Sequence, residues 1–191
     1  MLLERVGGLG EGDVRAPSLL PGWSRAHVLV HLARNCDSMT RRLEGAARGE
    51  TVDQYPGGVA GRATEIDAGL ALDAAALIAD VAASVERFDA AVAAMDEAAW
   101  LVDTRAVNGA LQRADALPSR RWQEVEVHHL DLGLGYSFAD WPDAFVATRL
   151  PALLVERGAT EVDTAGHDDR EVLAWLYGRT QPTGLPDLGP F

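Results

Sequence analysis

The chain contains no lysine, a single cysteine and only two isoleucines, Ile66 and Ile78, in 191 residues. One cysteine, Cys36, excludes an intrachain disulfide, so the fold relies on its core alone, and a reducing cytoplasm is the expected setting. Also missing is any run of roughly 18 apolar residues, the length that a membrane-spanning helix needs. The opening Met1-Leu2-Leu3-Glu4-Arg5-Val6-Gly7-Gly8 has no basic segment followed by an apolar one, so neither a signal sequence nor a membrane span is expected. Positive charge is scarce as well. Seventeen arginines face 29 acidic residues, and the formal net charge of -12 argues against nucleic acid or an anionic membrane as a partner. The shortage of lysine and isoleucine beside abundant alanine suggests a GC-rich genome, such as that of an actinobacterium.

Alternating strand patterns are few, and long helical periodicities fill most of the chain. Leu2 to Leu9 reads as the end of a first helix, closed by the glycines at 7, 8, 10 and 12, and the sequence before Pro17 is short for a full bundle helix. Ser24 reads as the N-cap of a helix running to about Arg48. Residues 51 to 61 read as a loop around Pro56-Gly57-Gly58. Ala63 to Trp100 then forms the longest helix candidate, with Leu70, Leu72, Leu77, Ile78, Val81, Val85, Phe88 and Val92 as its buried stripe. Residues 101 to 117 look irregular or partly extended. Pro118 or Ser119 opens another helix that Gly133 and Gly135 end, and a further helix covers Asp143 to Arg157.

The tail differs: Thr160-Glu161-Val162-Asp163-Thr164 alternates, and Asp169 to Gly178 forms a short helix before a Pro/Gly-rich end. The expected organisation is a mainly α helical bundle over residues 1–158 and a small C-terminal appendage over 159–191, which the alternation allows to be α+β.

Histidines are few but placed in two suggestive runs, Ser24-Arg25-Ala26-His27-Val28-Leu29-Val30-His31-Leu32 and Arg121-Trp122-Gln123-Glu124-Val125-Glu126-Val127-His128-His129-Leu130. Residues four apart on a helix lie about 40° from each other around its axis, so Glu124 and His128 share a face, as do His27 and His31. A carboxylate and an imidazole from one helix then meet an imidazole from another. Two histidines and a glutamate form a known catalytic zinc set that leaves a fourth position open for water or substrate.

These runs carry a family resemblance. Leu20-Pro21-Gly22-Trp23-Ser24-Arg25-Ala26-His27-Val28-Leu29-Val30-His31-Leu32-Ala33-Arg34-Asn35 resembles the N-terminal signature of the mycothiol-dependent maleylpyruvate isomerase family. Glu124 to Tyr136, continuing into Ala139-Asp140-Trp141-Pro142, resembles it too, and Ala174-Trp175-Leu176-Tyr177-Gly178-Arg179 resembles its C-terminal signature. The resemblance implies a DinB-like four-helix bundle, a zinc ion held by His31, Glu124 and His128, the thiol cofactor mycothiol, and an arginine, Arg179, that reaches the active site. It also implies cis–trans isomerisation of maleylpyruvate or a related unsaturated dicarboxylate. In that chemistry a thiolate, stabilised by zinc, adds to the double bond, the resulting single bond rotates, and expulsion of the thiol leaves the trans product. The partners would be a small-molecule thiol and an electrophile, with Arg179 suited to the carboxylate through two parallel hydrogen bonds.

Blander readings compete at each position. A lone helical histidine is often structural, and Glu124 with His128 could be a helix-stabilising pair worth a few tenths of a kcal/mol. His27 rivals His31, and only one of them is expected to point into the site. Glu126 and His129 face away from Glu124 and His128, toward packing or support of the ligands. Cys36, five residues beyond His31, reads as an inert core thiol rather than a nucleophile. Trp23, Trp122, Trp141 and Trp175 read as core and cap aromatics, and Arg179 could simply cap the preceding helix. The bundle motifs do not separate an isomerase from a mycothiol S-transferase. A non-catalytic zinc-binding bundle would require a closed four-ligand site, and no obvious fourth protein ligand is present.

Overall fold

Side-chain caps from Ser24, Asp73 and Asp168 open three of the helices in the computed structural model, which describes residues 2–189. The chain divides into two compact units, Met1–Leu132 and Gly133–Phe191. Eight α-helices and one two-stranded antiparallel sheet occur among the described residues, none of the helices long and apolar enough to cross a membrane.

In the first unit, α1 (Leu2–Val6) and α2 (Glu11–Arg15) are single-turn helices, with Gly10 capping the second rather than closing the first. The central helix is α3 (Arg25–Ala47), started at Ser24, whose side-chain oxygen accepts from the His27 amide. It packs against α4 (Gly58–Gly69), α5 (Ala74–Ala93) and α6 (Leu117–Asp131), the other long helices of the bundle. Cys36, Met39 and Leu43 on α3 meet Phe88 on α5 and Leu117 on α6 in one buried cluster.

The single helix expected over Ala63 to Trp100 is in fact two, and α3 with 23 residues is the longest. The helical periodicity is continuous across the break, but two sets of hydrogen bonds interrupt it. Asp73 accepts from the Ala76 amide at 2.9 Å as an N-cap for α5. From α2, Arg15 donates to the carbonyls of Leu70 (3.0 Å) and Leu72 (2.6 Å), and Glu11 accepts from the Ala74 amide (2.8 Å). These partners lie more than 50 residues away and leave no local signal. The expected loop also shortens, since α4 begins at Gly58. At its other end α4 presses on α3: a Cβ added to Gly69 would fall 2.4 Å from Val30 Cγ1, a separation that only glycine permits.

Residues 101 to 117, read as partly extended, contain the hairpin of β1 (Asp103–Arg105) and β2 (Leu111–Arg113), with Thr104 opposite Gln112. Thr104 points inward and is fully buried. Two side-chain bonds fix α6 against α3, and a backbone bond ties α6 to the loop before α3. Arg25 Nε donates to the Leu132 carbonyl (2.8 Å), the Leu19 amide donates to the Asp131 carbonyl (2.8 Å), and the buried Arg121 donates to the Leu32 carbonyl (3.0 Å). The last bond sits beside His31 in sequence.

In the second unit, α7 (Asp143–Glu156) packs on α8 (Asp169–Leu176). The division at Leu132/Gly133 therefore groups α7 with the C-terminal residues, whereas sequence patterning assigned it to a bundle ending at 158. Trp141, Trp175 and Tyr177 are buried there, with Arg149 Nε donating to the Tyr177 hydroxyl at 3.2 Å. Residues 160–164 form turns instead of a strand, so the alternating pattern marks no sheet in this unit among the described residues.

Candidate metal centre

Two helix starts set the register of the site. Ser24 fixes the first residue of α3, which carries His31 about two turns inward, only 4% exposed. Pro118 lies in the first turn of α6, where its missing amide hydrogen costs nothing, and Glu124 and His128 follow one turn apart on the same face. The bonds from Arg25 and Arg121 hold the two helices together, the second of them beside His31.

The three side chains converge. His31 Nε2 lies 3.0 Å from Glu124 Oε2 and 3.1 Å from His128 Nε2, and His128 Nε2 lies 3.4 Å from the same glutamate oxygen. A tetrahedral ion about 2.0–2.2 Å from each donor would set donors about 3.3–3.6 Å apart. The triangle thus fits zinc with an expansion of a few tenths of an ångström. No fourth His, Cys, Asp or Glu joins the cluster among the described residues. The arrangement matches the open three-ligand pattern of catalytic zinc sites rather than a closed structural one.

Neighbouring groups orient these side chains. His128 Nδ1 donates to the fully buried carboxylate of Asp131 at 2.8 Å, which leaves the Nε2 lone pair facing Glu124 and His31. On the other side, Arg62 from α4 donates to His31 Nδ1 at 3.2 Å, so in this tautomer the Nε2 proton of His31 is the one offered to Glu124. A metal at Nε2 would need the neutral ring to carry its proton on Nδ1 instead, with Arg62 turned away from that nitrogen. Trp23 packs with its ring centroid 5.8 Å from both His27 and His31.

Protonation follows from this packing. Burial acts to raise the Glu124 carboxyl, but hydrogen bonds from His128 in its protonated form and from His31, with their charges, outweigh it and hold the group well below the usual carboxylate range. Burial pushes the His31 imidazole down, and the opposing pull of Glu124 does not restore it. For His128 burial again disfavours charge, yet the Asp131 and Glu124 hydrogen bonds win and the imidazole is raised above its ordinary value. An anionic carboxylate and a neutral His31 are the forms a metal binds.

The rival histidine is spent elsewhere. His27 Nδ1 accepts from the Ser24 amide at 3.1 Å and contacts the Ser24 hydroxyl at 2.7 Å, completing the helix cap. Glu126 accepts from Trp122 Nε1 at 2.9 Å, and His129 is buried away from the cluster. Cys36 donates to the Ser84 carbonyl at 3.2 Å in the core, and burial raises its thiol. Arg179 belongs to the second unit, where its amide donates to the Ala174 carbonyl and Nη1 donates to the Tyr177 carbonyl at 2.7 Å. With Trp175, Gln181 and Asp187 it lines a pocket of about 480 Å³. Two contributors escaped the sequence reading. Asp131 carried a signal, three residues after His128 on one helix, whereas Arg62 comes from a separate helix and carried none.

Known proteins share the fold. Residues 1–133 match the family described as the mycothiol maleylpyruvate isomerase N-terminal domain. A crystal structure of the mycothiol-dependent maleylpyruvate isomerase superposes with a TM-score of 0.88 at 23% identity, over 100% of this chain and 91% of that one. A histidine-to-alanine mutant of the mycothiol-dependent maleylpyruvate isomerase gives a TM-score of 0.87 at 24% identity with the same coverage. No curated protein matches the sequence.

Proposed function

The chain belongs to the mycothiol maleylpyruvate isomerase N-terminal domain family, and from that membership we propose that it is a zinc- and mycothiol-dependent cis–trans isomerase of maleylpyruvate or a related unsaturated dicarboxylate. The observation that carries the reading is the convergence of His31, Glu124 and His128 on one point with no fourth protein donor among the described residues. Zinc bound there would supply an open position at which a thiol is acidified to the reactive thiolate.

The chain's own residues prepare that position. Asp131 holds His128 in the tautomer whose Nε2 faces the other donors, and the Ser24 cap removes His27 from competition. Glu124 brings one negative charge, so the two neutral imidazoles and the carboxylate leave a bound dication with a net positive charge that favours an anionic fourth ligand. Cys36 stays protonated in the core, leaving the attacking sulfur to come from the cofactor. Arg179 is the residue we assign to a substrate carboxylate, because a guanidinium binds it through two parallel hydrogen bonds.

The test is to incubate the zinc-loaded protein with mycothiol and maleylpyruvate and to follow products by chromatography. The proposal predicts fumarylpyruvate with no stable adduct. Accumulation of a conjugate with other electrophiles, and no fumarylpyruvate, would make the protein an S-transferase instead.

A further inference from the structure

We propose that the cavity walled by α3, α6 and the β1–β2 hairpin is a carboxylate subsite for the electrophile, with Arg42 and Arg120 as its anion-binding residues. The assignment rests on the isomerase reading only in identifying the anion as substrate. Its grounds lie in the cavity itself.

The cavity has a volume of about 350 Å³, and Glu124 of the metal cluster forms part of its wall. That size accommodates a small organic acid. Arg42 enters from α3 and is almost fully buried, at 2% exposure. Its Nε and Nη2 donate to Thr104 Oγ1 at 3.1 and 2.7 Å, and Nη2 also donates to Gln112 Oε1 at 3.0 Å. Every one of these acceptors is neutral. No carboxylate pairs with Arg42 among the described residues, and Nη1 makes none of these bonds.

A buried cation without a counter-ion is costly, and structural arginines normally avoid that state. Here the charged group acting on Arg42 is a second cation, Arg120 on α6; burial first and then this neighbour push the guanidinium down to about 10, still charged at neutral pH. Arg120 donates to Gln123 Oε1 at 3.3 Å and lines the same cavity, as do Gln54 and Gln112. The only acidic residue on this wall among the described residues is Glu124, whose charge a bound metal would neutralise. In a protein of net charge -12, two arginines and three glutamine amides facing a cavity with no free carboxylate make a local site for an anion.

The geometry favours a planar carboxylate, since a guanidinium offers paired parallel donors. A dicarboxylate with one end on Arg42 and Arg120 would extend toward the metal cluster along the Glu124 wall. Such a site differs from the pocket lined by Arg179, which lies in the second unit.

The test is calorimetric titration of succinate and of maleate into the zinc-loaded protein, as wild type, Arg42→Gln and Arg120→Gln, with zinc content measured afterwards. Each variant should retain one zinc and bind either dicarboxylate about tenfold or more weakly, the loss expected for a charge-assisted hydrogen bond. The neutral polyol myo-inositol should give no heat. Should Arg42→Gln fail to fold, the half-buried Arg120→Gln carries the test by itself. Wild-type dicarboxylate affinity in folded variants, or binding of myo-inositol in place of dicarboxylate, would overturn the subsite. Arginine-dependent succinate binding without turnover of maleylpyruvate would leave the subsite standing and remove the isomerase reading. Turnover of maleylpyruvate with KM unchanged in both variants would do the reverse.

Discussion

Asp131 accepts a hydrogen bond from His128 Nδ1 across 2.8 Å, three residues apart on α6, with its carboxylate fully buried. This contact fixes which nitrogen of His128 faces the metal cluster and makes that nitrogen a stronger base. Partners of this kind typically contribute tenfold to a hundredfold in metal affinity. Asp131→Asn keeps an acceptor in place but loses the charge, so zinc affinity should fall about tenfold while the helical circular dichroism is retained. Competition against a chelator of known affinity measures it. Unchanged affinity in the folded variant would show that Asp131 serves packing alone.

Acid should release the metal with a defined slope. His128 is raised above 6.5, so it holds its proton into the neutral range and zinc must displace it there. His31 is lowered from 6.5 and Glu124 lies well below 4.5, so neither takes a proton in that range. Zinc affinity should therefore decline as pH falls through the raised His128 value, by up to about tenfold per pH unit, with one proton released per zinc. Chelator competition between about pH 8 and about pH 6 reads the slope. A flat profile would mean that His128 is already deprotonated, and a slope of two that His31 is protonated as well.

How much of this site the sequence revealed depends on how far each contact reaches along the chain. The Ser24 cap and the four-residue step from Glu124 to His128 are local, and both were readable. His27 and His31 share a helix face, so periodicity left both open; only the resemblance preferred His31, and the Ser24–His27 cap supplies the physical reason. The break between α4 and α5 was hidden because Arg15 and Glu11, from α2, supply its hydrogen bonds. Arg62 reaches His31 only because that break and Gly69 bring α4 against α3. For α7 the apolar stripe shows that the helix buries a face, but not that the covering partner is α8.

Cys36 provides a separation of scaffold from nucleophile. The thiol is buried, donates to the Ser84 carbonyl, and is raised by burial. Iodoacetamide should leave the native protein unmodified at about pH 8 and label it fully once unfolded. Cys36→Ala should cost about 1 kcal/mol of stability, the typical size for a small core truncation, and keep most of the thiol-dependent activity. A folded, zinc-loaded Cys36→Ala protein with no activity would place the nucleophile on the chain.

Arg179→Lys tests the second unit. Lysine keeps the charge but not the planar two-bond contact, so turnover should drop by about tenfold or more if the guanidinium holds a carboxylate in the transition state. Zinc content should not change. If the variant unfolds, or if kcat and KM both stay at wild-type values, Arg179 is a helix-end residue and its bond to the Tyr177 carbonyl is structural.

If His31, Glu124 and His128 hold zinc and leave one position for an external thiol, the neighbours of the metal change when that thiol binds. X-ray absorption at the zinc edge, recorded on the loaded protein before and after adding mycothiol, tests it most directly. Nitrogen and oxygen neighbours at about 2.0–2.2 Å are expected in both spectra, and a single sulfur at about 2.3 Å that appears only with the thiol. Four light-atom ligands that persist unchanged when mycothiol is added would contradict it.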